Sequence, residues 1–227
     1  MELNNSTLHH AIITTLLGRG WAPSVDELCE IFGTDRLATT RALRDLAEYH
    51  GVVLHPQSDE VWIIHPFSTA PTGFVVRAGD REWFGNCAWC SLGVAALAGG
   101  TAAITTALGG TGNQVTIQIE RGDLLDKSYV VHFPVRMADA WDNVVYTCTM
   151  MQLFRDESEV ERWCAKHGKP KGDVRPVNQV WRFAKDWYGR HADVDWRKWT
   201  PDEAVGLFRR HGLNGPIWEL PAGGDRF

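Results

Sequence analysis

Two cysteines three residues apart, Cys87 and Cys90, lie in the stretch Asn86-Cys87-Ala88-Trp89-Cys90-Ser91-Leu92-Gly93, and a third, Cys148, comes far along the chain. Deprotonated thiols are strong nucleophiles and soft metal ligands, so this trio is the first candidate for chemistry. The pair follows a hairpin signal, Phe74 to Arg77, the Gly79-Asp80 turn and Glu82-Trp83-Phe84, and leads into a small, apolar run from Leu92 to Leu97. That layout places Cys87 at or just before a helix start. There, unpaired backbone N–H groups and the positive end of the helix dipole favour a thiolate. Cys90 falls one turn on along the same face, so the two sulfurs can converge on one ligand. The long apolar run from Val144 to Phe154, which carries Cys148, has the profile of a buried central strand.

Residue types alone leave other readings of the pair open. A redox dithiol would follow a βαβ pattern, which is absent. Half of a zinc site would need a second closely spaced pair. His9 and His10 are adjacent, and Cys164 and His167 fall on a surface-looking helix. Packed core thiols are the third option, and Cys148 in an apolar strand is core by default. Cys29 and Cys164 read as structural, and His132 beside Phe133 as a satisfied strand histidine. Trp83, Trp89 and Tyr146 suit either the wall of an apolar substrate pocket or the core. No phosphate-binding glycine loop, Ser-His-Asp order or pair of carboxylates stands out.

The elements that must position these thiols follow from patterning. The chain has 227 residues, 44% hydrophobic and 22% charged, enough for a sizeable core and against wholesale disorder. Five cysteines, an odd number, fit free thiols, a metal or catalysis in a reducing compartment better than a disulfide framework. No apolar run approaches a membrane span and no signal peptide opens the chain, so a cytoplasmic protein without membrane contact is expected.

Residues 1–66 predict a winged-helix-like unit. A first helix runs from about Ser6, a second is capped by Ser24 with Glu27 completing a capping box, and a third runs from Leu37 to Tyr49. A hairpin of Val52 to Leu54 with Val61 to Ile64 closes the unit. Four arginines stand against nine carboxylates there, the wrong sign for phosphate, so a structural role and no nucleic acid are expected. Residues 67–73 read as a linker into a second unit, 67–227. Strands are expected at Val115 to Glu120 and Tyr129 to Pro134, a turn at Asp123 to Lys127, and a helix from Ser158 to His167. The tryptophan-rich helical tail includes a start at Thr200-Pro201-Asp202-Glu203. The class is α+β: a three-helix unit followed by a mixed or antiparallel sheet core flanked by helices.

With these residues in view, the chain resembles the alkylmercury lyase (organomercurial lyase) family. The likeness rests on the acidic front unit, the hairpin into Cys87-Ala88-Trp89, the helix after it, the segment bearing Cys148 and the helix with Trp163. The family motif is Cys-x-x-Asp opening a helix plus a later cysteine. The register preferred here sets the first cysteine at Cys87, the later one at Cys148 and the aspartate at position 90, which is Cys90. A rival register puts Cys90 in the nucleophile's place and Gly93 at the aspartate; either way the carboxylate is missing.

The resemblance implies an enzyme that uses Cys87, Cys90 and Cys148 as catalytic and metal-binding groups to protonolyse a carbon–metal bond. It needs no cofactor, mercury or copper binding only as product or adventitiously. The implied partners are a small organometal or organic substrate and small thiols, or a thiol reductase, that accept the metal. A divergent member without lyase activity, acting on an organic substrate or holding thiophilic metals, is the alternative.

Overall fold

The structure is a computed structural model in which residues 2–221 are described. Three helices come first: α1 (Asn5–Arg19), α2 (Val25–Phe32) and α3 (Arg36–Glu48). Each start is fixed by a side chain that satisfies an otherwise unpaired N–H group. Asn4 with Thr7 and Ser24 with Glu27 form reciprocal capping boxes, and Asp35 accepts from the Ala38 N–H. Strands β1 (Val53–Leu54) and β2 (Val61–Ile64) then pair antiparallel, in the order expected.

Residues 67–68, expected in a linker, instead form strand β3 (Phe67–Ser68), hydrogen-bonded to β2 on one side. Phe67 is fully buried, and an apolar side chain of that size is stabilised more by the core than by a solvated linker. Next come β4 (Phe74–Ala78) and β5 (Arg81–Gly85), helix α4 (Ala88–Leu97), β6 (Ala102–Ala107), β7 (Gln114–Glu120) and β8 (Asp123–Leu124). Asp123 and Leu124, expected in a turn, extend that hairpin by pairing with Glu120 and Ile119. All eight strands make one antiparallel sheet in the order β1-β2-β3-β5-β4-β6-β7-β8, so it runs unbroken from the front unit into the rest of the chain.

The remaining elements are β9 (Val130–Phe133), α5 (Val144–Met150), β10 (Leu153–Phe154), α6 (Glu157–His167), β11 (Asp173–Pro176), α7 (Val177–Tyr188) and α8 (Pro201–Arg210). A second, three-stranded sheet has the order β10-β9-β11. Helix α4 is buried all round, between the large sheet and α7, which explains its small, apolar sequence. Two glycines permit the close approach. A Cβ at Gly85 would lie 2.6 Å from the Cα of Ser91, and one at Gly93 would lie 2.2 Å from the Tyr188 ring. No helix among the described residues is long and apolar enough to cross a membrane.

The element carrying Cys148 is a helix, not the expected central strand; only Leu153–Phe154 of that run is a strand. Its valines, tyrosine and threonines carry strand propensity, but local polar groups override it. Asn143 caps α5 by accepting from the Tyr146 N–H at 2.9 Å. Thr149 Oγ1 donates to the Tyr146 carbonyl three residues back at 2.8 Å, as helical threonines do, and Thr147 Oγ1 ties the helix to the Ala140 carbonyl of the preceding turn at 3.0 Å.

Candidate active site

Cys87 is the N-cap of α4, its backbone extended (φ −157°, ψ −176°), and its sulfur accepts the Cys90 N–H at 3.3 Å. Cys90 follows in the first turn, as the spacing predicted. From the opposite side, α5 presents Val144, Thr147 and Cys148, followed by Met151, to one cavity, which is the helical spacing i, i+3, i+4, i+7. A strand would have put residues 146 and 148 on one face. In the helix Tyr146 turns outward instead, is exposed and lies beneath the Lys169 ammonium rather than in the cavity. Trp83 is also elsewhere: it is buried on β5, with Nε1 donating to the Leu16 carbonyl of α1 at 2.7 Å. Trp89 does line the cavity, its ring stacked on Phe183 at 4.8 Å.

The sulfurs of Cys90 and Cys148 and a ring nitrogen of His65 all lie within 4.8 Å of one another. The sulfur of Cys87 sits behind them, hydrogen-bonded to both thiols. His65 had no part in the expected site. Sheet register brings it in: Phe67 pairs with Gly85, and one step on, Asn86 N–H donates to the Pro66 carbonyl at 3.2 Å. This sets His65 beside the cysteine turn, with Asn86 Nδ2 donating to its Nε2 at 3.3 Å and Cys148 Sγ 3.6 Å away. His9, His50 and His191 also reach the cavity from distant segments, and no local pattern in the sequence marks them.

Electrostatics within the trio is unequal. Burial alone would raise the Cys87 pKa, but hydrogen bonds from the Cys148 and Cys90 thiols and from the Cys90 N–H outweigh it and hold Cys87 well below the usual thiol value. Burial, together with the charge and hydrogen bonding of Cys87, pushes Cys90 well up. Cys148 is pushed up as well, by its hydrogen bonds to Cys87 and Cys90 and by burial. The hydrogen bonding of the trio thus favours the negative charge on Cys87 and the protons on Cys90 and Cys148. His65, desolvated, falls to about 4 and is neutral.

Tyr188, its pKa raised by burial and then by the charge near Cys90, stays a phenol; its hydroxyl lies 3.4 Å from Cys90 Sγ. Around these groups the cavity is walled by Trp89, Trp141, Trp187 and Trp196, and no aspartate or glutamate is among its described lining residues. About 70 Å³ of it is open to the centres of water-sized molecules, room for a small organic group.

The sequence profile of the alkylmercury lyase family matches residues 67–189, just over half of the chain, with Cys87, Cys90 and Cys148 inside the match. The chain belongs to the alkylmercury lyase family. A crystal structure of the mercury-bound form of MerB2 shares its fold, with a TM-score of 0.66 and 18% identity over 81% of this chain and 91% of that one. No curated protein matches the sequence. The register preferred from the sequence sets the family aspartate at position 90, where a thiol stands. The other thiols remain outside the site. Cys29 Sγ is 3.3 Å from Thr39 Oγ1, and Cys164, expected on a surface-looking helix, is buried at 3.7 Å from His132.

Proposed function

We propose that the chain is a lyase of the organomercurial type that splits a carbon–metal bond with thiols and a histidine, without a carboxylate. What supports this is three buried sulfurs gathered beside the His65 imidazole, the Cys87 thiol favoured as thiolate and the other two as thiols, because such a cluster contains both the nucleophile and the proton that the reaction consumes. Cys148 passes its proton to the Cys87 thiolate along their hydrogen bond, which brings the charge to the cavity. The Cys148 sulfur then displaces the outgoing ligand X⁻ from R–Hg–X and forms R–Hg–S. A second sulfur of the trio binds the same metal. The proton it gives up passes through His65 Nε2 to the metal-bound carbon, and R–H leaves with mercury held on two sulfurs. Atoms and charge balance without a carboxylate, and no cofactor is needed.

Small thiols, or a thiol reductase, then take the metal away. The substrate is a small alkyl or aryl organometal, given the aromatic walls and the limited space. The test is incubation with phenylmercury and excess small thiol, following benzene release over several turnovers. Stoichiometric mercury binding without benzene would replace the lyase reading with its runner-up, a protein that holds thiophilic metals. Cys90 is the observation favouring that alternative, since a third soft ligand strengthens the grip on the product.

A further inference from the structure

The half-site for zinc that the Cys87–Cys90 spacing suggests lacks a second pair in the sequence, yet the fold supplies one. His65 arrives from the turn between β2 and β3 and Cys148 from α5, both beside Cys90. We propose that, in the absence of an organometal, the protein binds one zinc(II) ion through His65 Nε2, Cys90 Sγ and Cys148 Sγ, with the fourth position open to the cavity.

The geometry carries this. Zinc bonds of about 2.3 Å to sulfur and about 2.0 Å to nitrogen, at a tetrahedral angle, put the two donor atoms about 3.6 Å apart. Cys148 Sγ and His65 Nε2 lie 3.6 Å apart already. The third donor is within 4.8 Å of both, so closing the set needs side-chain rotations, not movement of the chain.

The nitrogen facing the cluster is also in the right form. Asn86 Nδ2 can only donate, so the Nε2 it contacts is the unprotonated ring nitrogen, and its one lone pair passes from the amide to the metal when the ring turns toward the sulfurs. A donor set of one imidazole and two thiolates with an open fourth position is one that zinc accepts in enzymes. Binding displaces the two thiol protons, which go to the Cys87 thiolate and to solvent. Zinc and an organometal then compete for the Cys148 sulfur, and mercury, the softer ion, displaces zinc. A zinc-loaded resting form would shield the thiols from oxidation until substrate arrives.

The experiment uses the reduced, metal-stripped full chain titrated with zinc against a chromophoric chelator, and separately with cobalt(II). The expected result is one zinc per chain and a cobalt complex with the visible bands of tetrahedral coordination and a sulfur-to-metal charge-transfer band. His65→Ala and Cys148→Ser each weaken zinc binding by at least about tenfold, whereas Cys164→Ser leaves it unchanged. Circular dichroism of the metal-free variants checks that they fold, and Cys90→Ser serves if one of them does not. Absence of stoichiometric binding, an octahedral cobalt spectrum, or equal affinity in folded His65→Ala would overturn the proposal. Because no organometal is present, the outcome is independent of whether the protein is a lyase.

Discussion

Two regions of the molecule put a buried thiol beside a histidine, and only one of them favours the thiolate. At Cys164 the sulfur is 3.5 Å from the Pro170 carbonyl and 3.7 Å from His132 Nε2, and that nitrogen is 2.8 Å from the Lys171 carbonyl. The carbonyls can only accept, so His132 Nε2–H and the thiol S–H both donate outward. Burial then raises the Cys164 pKa and the thiol stays protonated. At Cys87 the donors point inward: a backbone N–H at a helix start and two thiols. Cys87 is the more deeply buried of the two, yet the thiolate wins. The direction of the hydrogen bonds around a sulfur, not its depth, decides whether it is a nucleophile or a small hydrophobe.

The largest test of this contrast exchanges oxygen for sulfur in each region. Cys148→Ser is expected to cut benzene release from phenylmercury at least about a thousandfold, because a hard hydroxyl neither binds mercury nor gives up its proton at neutral pH. Cys164→Ser should change it less than about twofold, as a substitution far from the reacting atoms does. Comparable losses in both variants would mean that the two thiols do the same structural job.

Stability against pH separates the regions next. His9, His65 and His191 surround the cavity, and burial lowers all three, His65 to about 4 and His191 to about 3. Their folded pKa values lie below the unfolded value of about 6.5, so the stability they contribute is present above that pH. It is lost as pH falls toward 4. His65 alone accounts for on the order of 3 kcal/mol of that loss. Denaturant unfolding at pH 7 and pH 4.5 checks it, with His65→Gln expected to shrink the difference and leave the part due to His9 and His191. A flat profile in the parent protein would show that these rings are hydrated in the folded state.

How much of this was legible depends on whether the information was local. Cys87 as helix cap and Cys90 one turn on were readable because a hairpin, a cap position and a run of small apolar residues all sit within about twenty positions. Cys148 does reach the cavity, but from a helix where a strand was expected. Strand propensity in Val144-Val145-Tyr146-Thr147 hid a helix whose evidence is polar, the Asn143 cap and two threonine hydroxyls. That one error also misplaced Tyr146, since a period of two and a period of 3.6 send neighbouring residues to different faces. His65 was invisible because β3 intervenes between β2 and β5, a pairing that no stretch of sequence announces.

Packing gives a smaller effect, again confined to the reactive region. Gly93 lets the Tyr188 ring lie flat on α4, which carries its hydroxyl to Cys90. Gly93→Ala would force that ring away and cost about 1–3 kcal/mol by overpacking. Thermal unfolding reads the cost. A change below about 0.5 kcal/mol, the size of an ordinary surface substitution, would show that α7 moves away freely.

The subtlest prediction returns a carboxylate to position 90. With Cys90→Asp the trio keeps the two thiols that bind the substrate metal, while the product loses its third soft ligand and passes more readily to small thiols. Aspartate is also a faster proton carrier than a thiol held well above its usual pKa. Turnover in excess thiol should rise about tenfold, a barrier change of about 1.4 kcal/mol, and zinc affinity should fall in the same variant. If zinc binding drops while turnover does not rise, product release is not the slow step, and the cysteine at position 90 serves metal retention rather than catalysis.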